Sequence, residues 1–476
     1  MTGQRLSTIA AVEFRAERAE REKRSPRVAT EGYHRPPAFS DEALALRFAE
    51  RHSGDLRFVA AWGKWLSYTG THWQFDDTLH AFDLARHVCR EAAAECNKPK
   101  LAPMIASAKS VAAVERLAKA DRRMAATIDQ WDGDPWLLNT PEGVVDLRTG
   151  QRRPHRPDDY MTKIAAVGPK GDCPRFLVFL DRILAGDVAL RDYLKRALGY
   201  ALTGDTREHA LFFAYGTGAN GKSVLLSTVA GILETYQKTA PIETFTATNG
   251  DRHPTDLAGL RGARLVTATE TEEGRRWAES RIKQLTGGDV VSARFMRQDF
   301  FEFKPAFKLF IAGNHKPSLR SVDEAIRRRF HMIPFAVTIP PEERDGELTE
   351  KLRSEWPGIL QWLIDGCLEW QTEGLRAPQA VIDATAAYLE AEDAIASWID
   401  DRCERDPSSW ESSASLFASW SVWAERAGEQ PGTMRRFAQT LESRGFQSQR
   451  KMNGRGFVGI RIVPVDEQEP YWRREA

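Results

Sequence analysis

The segment Gly216-Thr-Gly-Ala-Asn-Gly221-Lys222-Ser223 sets three glycines, a lysine and a hydroxyl at the spacing G-x-x-x-x-G-K-[ST]. Glycines without side chains let backbone N–H groups close on phosphate oxygens, and a following helix adds its positive end. Lys222 would reach β- and γ-phosphates, and the Ser223 hydroxyl would hold Mg²⁺. That chemistry needs a strand running into the loop and a helix running out. Leu211-Phe-Phe-Ala-Tyr215 reads as the buried strand and Val224 to Leu233 as the apolar helix. ATP and Mg²⁺ are the expected ligands, with Gly216, Gly218, Gly221, Lys222 and Ser223 around them.

Hydrolysis needs an acid at the end of a second buried strand. Arg264-Leu-Val-Thr-Ala-Thr-Glu270 supplies one, with Glu272 and Glu273 as rivals further along, and Glu270 is the expected catalytic acid and Mg²⁺ ligand. A third apolar strand, Phe307 to Gly313, ends on Asn314, where a polar side chain can touch the γ-phosphate or the attacking water. The run Arg327-Arg-Arg-Phe330 could present an arginine across a subunit interface to the transferring phosphate, or be a solvated helix end.

Two stretches look outward to nucleic acid. Val290 to Phe295 and Phe300 to Phe303 read as strands joined at Met296–Asp299, carrying Arg294, Arg297 and Lys304 with Phe295 and Phe301. Cations hold a phosphate backbone and aromatic faces stack on any base, although most of these phenylalanines are expected in a core. Near the C-terminus, helices over Ser415–Trp423 and Thr433–Arg444 precede a hairpin of Phe446–Lys451 and Gly456–Ile462. That order describes a winged helix. Its basic residues Arg435, Arg436, Arg444, Arg450, Lys451, Arg455 and Arg461 form a footprint for phosphates.

Together these segments resemble the superfamily 3 helicases, compact ring-forming AAA+ motors, and more narrowly the phage and plasmid primase–helicase family related to the poxvirus primase–helicase. Four features carry the resemblance: Asn220 before Gly-Lys-Ser, the strand ending in Thr-Glu270, the motif Ile282-Lys-Gln-Leu-Thr-Gly-Gly-Asp289 with Ala293-Arg294, and Asn314 followed by Pro317 and the arginine run. The resemblance adds Asn220 to the nucleotide set. It implies Glu270, Asn314, Arg328 and Arg329 as catalytic groups, and Lys283, Arg294, Arg297, Lys304, Arg435, Arg436 and Lys451 as DNA contacts. It also implies a homo-hexamer that translocates on single-stranded DNA in phage- or plasmid-type replication, with forked DNA and a separate primase or host replication proteins as partners. Residues 1–170 match no polymerising domain, and Asp76-Asp77 and Asp132-Gly-Asp134 read as turns, so primer synthesis is not expected. Two alternatives fit the same motifs: an initiator or loader that assembles on an origin without processive unwinding, and an AAA+ remodeller that does not act on DNA.

The elements that must position this chemistry define an α/β chain: an AAA+ P-loop core of parallel sheet flanked by helices, an α+β accessory domain before it and a winged helix after it. The expected segments are a charged arm (1–38), the accessory domain (39–170), a helical collar (171–205), the core (206–345), a helical segment (346–395), the winged helix (396–464) and a tail (465–476). Ser40 caps a first helix, helical pattern runs from 80 to 128 with breaks near Pro99 and Pro103, and Pro141–Gly150 reads as a hairpin. The 476 residues carry 67 basic and 67 acidic side chains, which argues against an all-over basic coat. Five scattered cysteines make no CxxC pair, and no uncharged apolar run approaches a membrane span. A reducing cytoplasm, that of a bacterial host, is the expected location.

Overall fold

The computed structural model describes residues 36–247, 255–270, 275–296, 299–319, 322–429, 431–451 and 454–463, without the side chains of Glu270, Arg436 and Ser443. The expected arm and tail lie almost wholly outside these ranges. The chain divides into two compact units, one of residues up to 67 with 75–128, the other of 68–74 with everything from 129 onward.

The first unit is helical with a small sheet. Ser40 caps Asp41–His52 by accepting from the Ala43 N–H, as expected. His80–Glu95 and Ala108–Ala118 follow, with only a short turn, Ala102–Ile105, between them where the prolines fall. Phe48, Val88, Cys89 and Val114 close a core beneath the strand Leu56–Val59.

The second unit is built on a five-stranded parallel sheet. Its strands are β1 (Leu211–Tyr215), β2 (Gln237–Thr239), β3 (Leu265–Glu270), β4 (Lys308–Gly313) and β5 (Phe330–Pro334), in the order β5-β1-β4-β3-β2. All neighbours run parallel. Parallel strands are buried on both faces, which is why β1 reads as an unbroken apolar run and β4 as one from Leu309 onward. One face packs under Lys222–Leu233 and the helices Pro174–Ile183, Val188–Ala201 and Trp356–Glu373. The other packs under Glu279–Gly287 and Gln379–Ala391, with Trp277 and Phe303 in its core. The predicted hairpin at 141–150 is present as a three-stranded meander, Leu137–Thr140, Gly143–Asp146 and Gln151–Arg153. No helix among the described residues is long and apolar enough to cross a membrane.

Residues 394–463 fold as two helices, Ser413–Arg426 and Met434–Ser443, on a three-stranded antiparallel sheet with Ala394–Arg402 against them. The sequence pattern predicts one strand from Gly456 to Ile462. The structure breaks it at Gly459, whose φ of 92° turns the chain. Gly454–Val458 pairs with Gln447–Lys451 and with Trp410–Ser412, while Arg461–Ile462 leaves to pair with Cys403–Glu404.

His331 on β5 lies between Tyr193 and Phe212, with the Tyr193 hydroxyl 2.7 Å from its Nδ1. Burial pushes this imidazole down to about 4. A folded pKa below the unfolded value means that the native state refuses the proton. Its stabilising contribution is therefore full above pH 6.5 and is lost as pH falls from 6.5 towards 4. Urea unfolding at pH 7 and pH 4.5 should show His331→Gln losing about 2 kcal/mol less on acidification than the native chain. Equal losses would contradict this.

Candidate nucleotide site and nucleic-acid surfaces

The phosphate loop leaves β1 at Tyr215 and enters the helix at Lys222, and the segment following β5 holds it in shape. Phe335 donates its N–H to the Tyr215 carbonyl at 2.8 Å, and its own carbonyl accepts from Asn220 Nδ2 at 3.3 Å. Ile339 N–H bonds to the Ala219 carbonyl, and the Thr217 and Thr338 hydroxyls meet at 3.0 Å. Asn220 is thus buried as a brace of the loop. Two of the glycines are dictated by this packing. A Cβ on Gly216 would stand 2.2 Å from the Phe335 carbonyl oxygen, and one on Gly221, at φ 80°, would stand 2.5 Å from Ile183 Cγ2. Gly218 at φ 94° turns the exposed tip.

Lys222 folds back inside the loop. Its Nζ donates to the Gly216 carbonyl at 2.8 Å and to Asn314 Oδ1 at 3.3 Å. Neither partner is charged, and burial pulls the amine down to about 8. An ammonium held by two neutral acceptors is the half of an ion pair that a phosphate completes. Ser223 is exposed at the first turn of the helix, with its backbone beside the loop.

The sheet register sets the remaining groups. Tyr215 pairs with Gly313, and Gly313 pairs with Glu270. Asn314 follows Gly313, so the loop, Asn314 and the end of β3 stand level at the carboxyl edge of three adjacent strands. Ligands of open α/β sheets bind at that edge. Of Glu270 the structure gives the backbone position only, and Glu272 and Glu273 lie outside the described residues.

The three arginines separate. Arg329 turns inward: its Nε donates to Thr286 Oγ1 at 3.1 Å, its Nη1 to the Ala325 carbonyl at 2.7 Å, and burial lowers its pKa. The expectation that Arg329 faces a neighbour's nucleotide meets a guanidinium already buried and bonded within its own sheet face. Arg327 pairs with Asp393 at 3.6 Å. Arg328 is exposed and has no ion pair among the described residues.

The ribbon of Val291–Ala293 against Phe301–Phe303 forms as expected, with Arg297 outside the described residues. Phe303 is buried, but Phe295 and Phe300 stand 40% and 60% exposed, against the expectation that most of these rings are core. The Arg294 guanidinium lies 4.8 Å over Phe300, Phe295 stacks on Phe301, and Lys304 is exposed. Lys283 ion-pairs with Asp323, the N-cap of the short helix Glu324–Arg327. In the C-terminal fold Arg435 and Lys451 are exposed, with Lys451 5.2 Å over Trp410, while Arg436 is described by its backbone alone. The footprint shrinks at Arg444, which is bonded to Asp393, and at Arg461, which is bonded to Glu404. Lys316 had no sequence signal beyond its place two residues after Asn314, yet its Nζ sits 4.0 Å over the Tyr215 ring at the loop's entry.

The family described as D5 N terminal like matches residues 45–185, and a family of unknown function matches residues 214–329. A provisionally helicase-named protein of Acanthamoeba polyphaga mimivirus is 25% identical over 295 residues, covering 57% of this chain and 31% of its own length. Another, from Frog virus 3 (isolate Goorha), is 25% identical over 336 residues, covering 66% of this chain and 33% of its own. The chain thus spans about a third of the length of these curated relatives. Among solved structures, the apo C-terminal region of NrS-1 matches with a TM-score of 0.50 at 10% identity, covering 88% of this chain and all of that one, a likeness of fold.

The contact at Gly216 yields a direct test. Gly216→Ala should lower unfolding stability by about 1–3 kcal/mol, because a carbonyl oxygen of β5's exit must shift. A thermal melt unchanged from the native chain would contradict the loop geometry.

Proposed function

We propose that this chain, which belongs to the phage and viral primase–helicase family, is an ATP-dependent DNA helicase of superfamily 3. The carrying observation is the buried Lys222 ammonium, bonded to Gly216 and Asn314, level with the end of β3 at the sheet's carboxyl edge. The five-stranded parallel core is read as AAA+ and residues 396–463 as a winged helix. In this reading ATP lies along the loop, where Lys222 and the loop N–H groups bind its β- and γ-phosphates. Asn314 orients the γ-phosphate or the attacking water, and Glu270 takes the acid's place beside it. Ser223 and Glu270 would hold Mg²⁺, which neutralises charge on the phosphates when bound.

Subunits assemble as a ring, a hexamer by family resemblance, and Arg328 reaches the neighbour's nucleotide. Arg329 is buried and Arg327 faces Asp393, which leaves Arg328 exposed and without an ion pair among the described residues. The ribbon carries Arg294, Arg297 and Lys304 with the exposed Phe295 and Phe300. It grips single-stranded DNA by backbone charge and by base stacking, without reading sequence. The C-terminal fold adds Arg435, Arg436 and Lys451 as phosphate contacts. Lys283 is left out of that set because Asp323 holds it.

Two variants test the assignment. Lys222→Ala should abolish ATP turnover and strand displacement on a forked substrate, and turnover at the native rate would overturn the reading. Arg328→Ala should keep ATP binding while losing roughly a thousandfold in turnover, the scale of a removed arginine finger. Mixing the two inactive variants should restore measurable turnover, since some interfaces then pair an intact Lys222 with an intact Arg328. Mixtures as inactive as their parts would contradict a shared site.

A further inference from the structure

The linker between the sheet unit's last helix, Gln379–Ala391, and the C-terminal fold consists of Glu392 and Asp393, and both carboxylates reach back into the core. Glu392 Oε2 accepts from the Leu319 N–H at 2.7 Å, five residues beyond Asn314. The Asp393 side chain is only 7% exposed and takes two guanidinium groups. Its Oδ1 accepts from Arg444 Nη2 of the C-terminal fold and from the Ala396 N–H at 3.2 Å, capping the helix Ala394–Arg402. Its Oδ2 faces Arg327 Nη2 at 3.6 Å.

Arg327 closes the short helix Glu324–Arg327, and Arg328 is that helix's C-cap. One buried carboxylate therefore joins the residue before the outward arginine to the turn that ends the helix Met434–Ser443. Asp393 is the buried partner of both pairs, while Arg327 is half exposed, so losing either arginine leaves the carboxylate less compensated.

We propose that Asp393 is a positioning residue that couples the C-terminal fold to the Arg328 turn, so that DNA held by that fold changes ATP turnover at the subunit interface. The proposal rests on the helicase reading above. Allosteric coupling of this kind is worth about fivefold or more in the linked property. The short helix is tied at both ends, its cap Asp323 to Lys283 and its last residue Arg327 to Asp393.

The experiment measures ATP turnover of the full chain with and without single-stranded oligonucleotide, together with oligonucleotide affinity and melting temperature, for the native chain, Asp393→Asn and Arg444→Gln. Basal turnover and oligonucleotide affinity should stay within about twofold in both variants, while the stimulated increment falls by about fivefold or more. Arg444→Gln leaves Asp393 paired with Arg327 and keeps the test open if Asp393→Asn does not fold. Native stimulation in either folded variant would overturn the proposal and leave the helicase reading standing. A proportional fall of basal and stimulated turnover would also overturn it, as the mark of a merely structural residue. A native chain with no ATP turnover at all would overturn the helicase reading and this proposal with it.

Discussion

The arrangement at the sheet's carboxyl edge depends on a backbone ladder. Tyr215, Gly313 and Glu270 stand side by side because β1, β4 and β3 are hydrogen-bonded in one parallel register. A slip of one residue would turn every side chain of a strand to the opposite face. It would also carry Asn314 away from Lys222, which it meets at 3.3 Å. Parallel strands pay for that register with long crossovers, and those crossovers are where this chain keeps its other devices. The phosphate helix lies between β1 and β2, the aromatic ribbon between β3 and β4, and the arginine turn between β4 and β5.

Much of this was legible in the sequence because it is local. A glycine-rich loop between an apolar strand and an apolar helix has few other readings, and β4 announces itself by the apolar run Leu309 to Ala312, buried throughout. The ribbon, the Ser40 cap and the helices on either side of residue 187 follow from short-range pattern alone, Asp187 capping the second of them. What was not legible depends on partners distant in the chain. The strand Gln237–Thr239 has no apolar run, since it sits at the sheet's edge beside β3. Trp410–Ser412 is three residues long and exists by pairing with Gly454–Val458.

The arginine run makes the same point for the site. Three identical side chains in a row carry no local signal of which one faces outward. Thr286 and the Ala325 carbonyl draw Arg329 in, Asp393 draws Arg327 aside, and Arg328 is left to solvent. Lys283 reads as a DNA contact from its motif, but its ammonium meets Asp323 forty residues later. Phe295 and Phe300 run the other way: rings expected in a core stand outside it, at the ribbon tip with Arg294. Each difference arises where burial and charge pairing across the fold decide between chemically equivalent choices.

The central claim is that this edge works between subunits, as part of a ring closed around a strand. Electron microscopy of the purified chain with a non-hydrolysable ATP analogue and single-stranded DNA tests it most directly. The account predicts closed rings with the strand in the channel against the Arg294–Lys304 ribbon, and with Arg328 of each subunit facing the Lys222 loop of the next. Isolated subunits under those conditions, or rings whose arginine turn points away from the neighbouring loop, would contradict it.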